Sequence, residues 1–334
     1  MLFPLLLFGL LSQAQKKSTP LFEEEQALNI GLKLSIKDIK KITNDTTYAP
    51  SVLYYKASGE SYDSIDMSIR TRGEFRLKKC YFPPLRIKMK KGDEKGTVFE
   101  GNKSLKLVVP CMTSSDNNML IMREYLCYQI YEPITPYYFN TRLVNIDFTE
   151  ESGKKTKQFQ LAGFFIEDDD VVAERFNGEA REDLKLHPMA LHDTSAIRYE
   201  FFQYMIANTD WSTTFQHNSK ILLKGNNTFI PLAYDFDMAG FVNAPYATVS
   251  EGLGITKVTD RVYRGFCRAP ELFEYTRKQY LDAEPKMMGI LDAHKSYFTD
   301  KEFDQTKQFL GEFFTILKSD SQFKTNIVNS CRTK

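Results

Sequence analysis

Two hydrophobic periods follow one another along this chain, and their order constrains the fold more than any other feature. Apolar and polar residues alternate in the first half, as in half-buried strands. These segments are residues 28–34, 65–71, 85–90, 105–109, 143–148 and 159–166. The second half is dominated by helical spacing, over 195–208 and again over 270–330. One helical pattern, 119–131, lies among the strands, and two short strands, 220–223 and 228–232, lie among the helices.

Strands followed by helices are typical of an α+β protein. The same order of elements is that of the two-lobe protein-kinase-like fold, with a β-rich N-lobe and a helical C-lobe, and we predict that fold here. The predicted boundaries are a signal peptide over 1–14, an N-lobe with one helix over 15–166, and a C-lobe over 167–334 that carries the catalytic and metal loops.

The apolar run at residues 2–11 indicates export. It is shorter than the roughly 20 residues that span a bilayer. Ser12 and Ala14 place small residues at the −3 and −1 positions of a signal-peptidase site before Gln15. We therefore predict cleavage after residue 14, a secreted or periplasmic protein, and no membrane segment afterwards. The alternative is a buried N-terminal segment.

Charge and composition exclude two further classes of protein. The chain has 44 Lys and Arg against 43 Asp and Glu, a net charge of +1. Proteins that coat nucleic acid need a basic excess, so we expect no nucleic-acid partner. A hydrophobic content of 42% with 26% charged residues is that of a globular protein and excludes wholesale disorder.

The five cysteines contain no C-x-x-C pair, which argues against a zinc finger or a thioredoxin-like site. In an exported protein the candidate disulfides are Cys80–Cys111 and Cys267–Cys331. Cys127 lies in a helical pattern and reads as a free core residue. Five unpaired cysteines are the open alternative.

A polar loop and the strand pair that follows it carry the candidate chemistry. Asp210 and Asn218 lie in the loop, and Asp235 and Asp237 follow the second strand. Phosphoryl transfer needs one carboxylate to accept the hydroxyl proton, and oxygen ligands that hold a cation against the ATP phosphates. We predict Asp210 as the catalytic residue and Asn218, Asp235 and Asp237 as ligands of Mg²⁺ or Mn²⁺. The alternative is that these are ordinary turn residues.

A strand lysine and a helix glutamate form the candidate nucleotide-binding pair. Lys106 lies in the strand before the helix that contains Glu124, and kinases hold ATP phosphates with such a pair. Lys88 is the rival phosphate lysine. Glu167 opens the acidic run 167–170 at the predicted lobe junction, where adenine or ribose would bind. The alternatives are a solvent-facing Lys106 and a solvated acidic turn.

Two other features bear on a phosphate site. The basic segment from Arg261 to Arg268 either lines a phosphate or substrate groove or is the basic edge of a helix. No G-x-G-x-x-G motif, the usual phosphate-covering loop of kinases, occurs in the first half of the chain.

Eight segments together carry a family resemblance. They are Arg70-Thr71-Arg72-Gly73-Glu74-Phe75, Phe82-Pro83-Pro84-Leu85-Arg86, residues 96–101, residues 105–108, Arg123-Glu124-Tyr125-Leu126, residues 163–168, Asn208-Thr209-Asp210-Trp211-Ser212 and Tyr234-Asp235-Phe236-Asp237. With them the chain resembles an uncharacterised family of secreted bacterial proteins. That family is distantly similar to the CotH-like (spore coat protein H) atypical kinases. The link to these kinases rests on Arg-x-Arg-Gly, the 210–218 loop and Asp-Phe-Asp.

The resemblance implies an atypical kinase that uses ATP and Mg²⁺. Asp210 would match the catalytic Asp, and Asn218 and Asp235 the metal ligands; Lys106 and Glu124 are favoured as well. The sequence departs from this family at Pro83-Pro84. Proteins that resemble the CotH-like kinases have Lys-Lys-Ser-Tyr at this point, before the second strand.

The predicted function is therefore transfer of phosphate from ATP to a hydroxyl acceptor, a protein or a small molecule. One alternative is a catalytically inactive kinase-like protein of the envelope or surface that only binds its partner. A second alternative is a calcium-binding protein that uses Asp235, Asp237 and the acidic run 167–170.

Overall fold

Seven strands of the first half close into a barrel in the computed structural model, which describes residues 18–57, 59, 61–114 and 116–333. The predicted signal peptide over 1–14 lies outside these residues. The strands are β1 (Leu28–Leu34), β2 (Ala49–Lys56), β3 (Asp63–Thr71), β4 (Leu85–Met89), β5 (Ser104–Val108), β6 (Thr141–Ser152) and β7 (Lys155–Ile166). Their order around the barrel is β1-β2-β3-β4-β5-β7-β6.

The barrel closes through one parallel strand pair. β1 runs beside β6 from Leu28 opposite Val144 to Leu34 opposite Glu150, whereas the other neighbours are antiparallel. Alternate side chains of the strands point inward and bury an apolar core. Ile30, Leu105 and Phe165 are among its fully buried members.

The predicted two-lobe protein-kinase-like fold is wrong. The strands of the first half form a closed mixed barrel, and the second half adds a separate sheet and helices. Alternation located six of the seven barrel strands and missed β2 (Ala49–Lys56), and it carries no information about which strands pair. Closure depends on the stagger and tilt that all the strands share, and these are properties of the assembled sheet.

The described residues also form helices and a second sheet outside the barrel. The helices are α1 (Ile36–Ile42), α2 (Glu74–Lys79), α3 (Asp116–Tyr131), α4 (Asp169–Arg175), α5 (Asp193–Met205), α6 (Pro270–Ala293), α7 (Asp300–Lys318) and α8 (Asp320–Phe323). β8 (Gly178–Arg181), β9 (Ser219–Lys224) and β10 (Thr228–Ala233) form the second sheet in the order β10-β9-β8. No helix among the described residues has both the length and the apolar character that crossing a membrane requires.

A second apolar cluster joins the helices to the outside of the barrel. Val108 and Phe164, on β5 and β7, are buried in it together with Leu126 of α3. Phe202 of α5 and Phe313 of α7 belong to the same cluster. Burial of large apolar side chains is the main favourable term in folding, so this shared cluster holds α3 against the barrel wall and α5 against α3.

Both candidate disulfides are confirmed. Cys80 and Cys111 are bonded, as are Cys267 and Cys331, and Cys127 is free and buried. The first bond is buried, with its cysteines 3% and 5% exposed, whereas both cysteines of the second are only half-buried.

Gly163 tests how tightly the barrel wall is packed. A Cβ at this position of β7 would lie 2.7 Å from the carbonyl oxygen of Val108 and 2.8 Å from Cδ1 of Ile146. We expect Gly163→Ala to lower the free energy of unfolding by about 1–3 kcal/mol, measured by urea denaturation, because the neighbouring strands must move apart.

Gly289 is the matched control for this substitution. It lies exposed on α6, and a Cβ there meets nothing within 4 Å. Gly289→Ala is expected to raise the free energy of unfolding by up to about 1 kcal/mol through helix propensity alone. Equal effects of the two substitutions would contradict the packing described for the barrel wall.

Candidate functional site

A cleft of about 600 Å³ lies between the segment that joins β3 to α2 and the two polar loops of the second half. All four residues predicted for catalysis and metal binding, together with His217, line it: Asp210, Asn218, Asp235 and Asp237. Four basic residues line the same cleft: Arg72, Arg76, Lys78 and Lys79. The cleft therefore combines carboxylate and amide oxygens with positive charge.

The hairpin of β9 and β10 brings the two polar loops together. Its last pair joins Ser219 to Ala233. Antiparallel pairing places the residues just beyond that pair side by side, so Asn218 lies next to the segment that begins at Tyr234. Asn218 and Asp235 adopt positive φ angles of 46° and 61°, a conformation that Asn and Asp tolerate better than most residues. The backbone thereby turns both side chains out of the sheet.

The carboxylate of Asp210 is held on both of its oxygens. Nε2 of His217 lies 2.9 Å from Oδ1, and the amide nitrogen of Asn218 donates to Oδ2 at 2.9 Å and to the Asp210 carbonyl at 2.8 Å. The side chain of Asp210 is 37% exposed, so a ligand in the cleft can reach it. Because the Asn218 amide nitrogen points to Asp210, its amide oxygen is the atom that can face a cation.

Asp237 lies deeper than Asp210. The hydroxyl of Tyr246 donates to its Oδ2 at 3.3 Å, and Nε of Arg76 lies 3.8 Å from the same oxygen. Burial, followed by the neighbouring charge of Asp235, raises the pKa of Asp237 to about 7. Burial also raises the pKa of Glu124, next to the same group, well above its ordinary value.

These carboxylates fit a hard cation. Two close carboxylates in a poorly solvated place repel each other, and a bound cation would relieve that repulsion. The described residues contain no group of three or more His, Cys, Asp or Glu side chains arranged to hold a metal. Mg²⁺ commonly takes only one or two carboxylates and completes its shell with water and phosphate oxygens. Asp235 and Asp237 with the Asn218 amide meet that lower requirement.

The predicted ion pair between Lys106 and Glu124 is wrong. The buried ammonium of Lys106 contacts Asp169, and Lys220 lies 3.1 Å from the same carboxylate. β5 pairs with β7 so that Lys106 stands opposite Ile166, three residues before Asp169. Glu124 instead lines a small cavity with Arg76.

The other two predicted nucleotide-binding residues do not line the cleft. Nζ of Lys88 lies 4.7 Å from the ring centre of Tyr48 in a separate surface groove. Glu167 is fully buried and pairs with Arg175 at 2.9 Å. Asp168 pairs with Arg86. Most of the acidic run is therefore neither a solvated turn nor a set of free calcium ligands.

Sequence reasoning missed the basic side of the cleft. Arg72 is the second arginine of the Arg-x-Arg-Gly motif, and its Nη1 donates to the hydroxyl of Tyr234 at 2.6 Å. Gly73, with φ of 73°, turns the chain into α2, which supplies Arg76 and the two lysines. The signal was present in the motif and in the basic sequence of α2, but nothing in the sequence placed them opposite Asp235.

Comparison of the chain with known proteins gives no family assignment. Neither the models of known protein families nor the curated protein sequences contain a match to this chain. The resemblance to CotH-like kinases therefore stays a prediction, and the site is interpreted from its own geometry.

The raised pKa of Asp237 predicts how the free energy of unfolding depends on pH. The measurement is made in EDTA so that no divalent cation is bound. The pKa of Asp237 in the folded protein, about 7, lies above the ordinary 3.8, so between these values the folded state binds more protons than the unfolded state. The contribution of Asp237 to the free energy of unfolding is fully present below about pH 4 and is lost as the pH rises through 7. We expect Asp237→Asn to stabilise the protein at pH 8 by roughly 2 kcal/mol, and by less at pH 5.

The measurement is urea unfolding at both pH values. The control is Asp210→Asn, because Asp210 is partly exposed and hydrogen-bonded and should show no such gain. A destabilised Asp237→Asn variant at pH 8 would contradict the electrostatic description of the site.

Proposed function

We propose that the cleft binds ATP together with a divalent cation and transfers the terminal phosphoryl group to a hydroxyl of a protein or small-molecule acceptor. The observation that supports this most is the convergence of Asp210, Asn218 and Asp235 with basic residues in one cleft. The proposal needs no kinase fold, because phosphoryl transfer depends on positioning and charge at a site that different folds can carry.

Asp210 is the proposed base. Its carboxylate is oriented by His217 and Asn218 and is open to the cleft, so it can accept the proton of an acceptor hydroxyl. As that proton leaves, the hydroxyl oxygen forms a bond to the terminal phosphorus and the bond from phosphorus to the ADP oxygen breaks. Correct orientation of the base is the main contribution that the chain makes in this step.

Asn218 and Asp235, assisted by Asp237, would hold Mg²⁺ or Mn²⁺. When bound, the cation supplies positive charge against the phosphates. Lys78 and Lys79 are exposed at the cleft and are better placed to meet phosphate oxygens than Lys106, which is engaged by Asp169. Arg76 holds Asp237 from the buried side.

Export remains part of the proposal. The two disulfides support an oxidising compartment, since such bonds form and persist in secreted and periplasmic proteins. A secreted or periplasmic location fits the signal peptide predicted for residues 1–14.

The test is turnover of ATP by the purified protein with Mg²⁺ or Mn²⁺. We expect Asp210→Asn and Asp235→Asn to lower kcat by at least about 100-fold, because one removes the base and the other a cation ligand. The control is Asp282→Asn, on the surface of α6, where Asp282 pairs with Lys278 away from the cleft, and this variant should keep wild-type turnover. Equal rates in all four proteins would overturn the assignment.

Calorimetry separates catalysis from binding. Asp235→Asn should weaken the binding of Mg²⁺–ATP, whereas Asp210→Asn should retain it. Wild-type protein that binds Mg²⁺–ATP without turning it over would support the second candidate, a binding protein of the envelope or surface. The lack of a G-x-G-x-x-G motif favours that candidate.

A further inference from the structure

The basic segment 261–268, here called the strap, holds main chain rather than lining the cleft. Nε of Arg261 donates to the carbonyl of Met205 at 3.2 Å, at the end of α5. Nη2 of Arg268 donates to the carbonyl of Pro188 at 2.7 Å. These basic side chains therefore tie the strap to the end of α5 and to the segment before α5, both of which precede the polar loop in the chain.

Arg264, in the middle of the strap, forms hydrogen bonds with the loop that contains Asp210. Its Nη1 donates to the carbonyl of Thr209 at 2.5 Å and to the carbonyl of Trp211 at 3.2 Å, the residues on either side of Asp210. Its guanidinium also lies 5.0 Å from the ring centre of Trp211. One side chain thus fixes the backbone both before and after the proposed base.

The strap is fastened to the C-terminal segment. The N–H of Arg332 donates to the carbonyl of Gly265 at 2.8 Å, and the N–H of Cys267 donates to the carbonyl of Arg332 at 2.9 Å. The Cys267–Cys331 disulfide joins the same two segments across a sequence separation of 64 residues. Without the covalent bond, closing so long a loop carries a substantial entropic cost.

We infer that Arg264 is a positioning residue for Asp210 and that the Cys267–Cys331 disulfide makes this positioning sensitive to thiol reductants. The half-buried Cys267–Cys331 bond is more accessible than the buried Cys80–Cys111 bond. A dithiol reductant would break the sulfur–sulfur bond and transfer two electrons and two protons to the cysteines, and would itself become a disulfide. The strap then loosens and Arg264 releases the loop.

Only the effect on turnover rests on the proposed function. The positioning itself has an independent readout, because Trp211 is the sole tryptophan of the chain and is 6% exposed. Release of the loop would expose its ring to solvent. The emission maximum of Trp211 should then shift to longer wavelength, and quenching by acrylamide should increase.

The first experiment varies the disulfides. Reduction of the wild-type protein with dithiothreitol should at least double the acrylamide quenching constant of Trp211. The double variant Cys267→Ser/Cys331→Ser should show that higher constant without reductant and respond no further. The matched control Cys80→Ser/Cys111→Ser should behave as the wild type does before and after reduction. Unchanged quenching in reduced wild-type protein overturns the redox part of the inference.

The second experiment varies the strap with both disulfides intact. Arg264→Lys shortens the side chain by one bond and removes the planar group beside Trp211, so it should raise Trp211 quenching and lower kcat about tenfold, with KM for ATP within twofold. Arg261→Lys, which alters a strap contact outside the loop, should change neither. Equal quenching in both variants overturns the positioning role.

Trp211 quenching and ATP turnover distinguish a failure of the positioning inference from a failure of the proposed function. If no form of the protein turns over ATP while Trp211 still responds, the proposed function fails and the positioning stands. Circular dichroism checks that each variant keeps its secondary structure. If the Cys267→Ser/Cys331→Ser variant fails to fold, reduction of the folded wild-type protein and the comparison of Arg264→Lys with Arg261→Lys decide the question.

Discussion

The parallel pairing of β1 with β6 is the contact on which the rest of the structure depends. It closes the sheet into a barrel and leaves no free edge among the seven strands. Closure fixes the end of β3, where Arg72 and Gly73 turn the chain into α2. It also fixes β5 and β7, and α3 packs against the outer face of β7 through Tyr125 and Tyr128 on Phe164. The cleft is therefore formed between a rigid wall and the loops that follow α5 and β10.

The distribution of buried charge separates the site from the acidic run 167–170. Buried charges are normally paired, and Lys106 with Asp169 and Glu167 with Arg175 follow that rule. Asp237 follows this rule less closely, because Nε of Arg76 lies 3.8 Å from its Oδ2, too far for a hydrogen bond. Such incompletely neutralised carboxylates are unfavourable for folding and favourable for binding a cation. This is the reason that we place the function here rather than at the more acidic run 167–170.

A residue's position was predicted correctly where the sequence pattern that locates it is local. Asp210, Asn218 and Asp235 converge because a short hairpin joins their two loops, and hairpins are readable from neighbouring sequence. The partner of Lys106 was predicted wrongly because it depends on the register between β5 and β7, which are far apart in the chain. The disulfides were predicted correctly, although five cysteines allow about fifteen two-disulfide pairings and only proximity in the fold selects one of them.

The sequence by itself determined most of the strands, the longer helices and the chemistry of the residues in the loops, since hydrophobic period and residue type are local properties. It did not reveal β2 or the short helices α1, α2 and α4. Only the tertiary structure decided that the strands close into a barrel, that Lys106 belongs to Asp169, and that Arg72 and α2 face the acidic loops. It also decided that the basic strap holds main chain rather than a ligand. Each of these depends on which distant segments are brought together, and the free energy that selects them comes from burial summed over the whole chain.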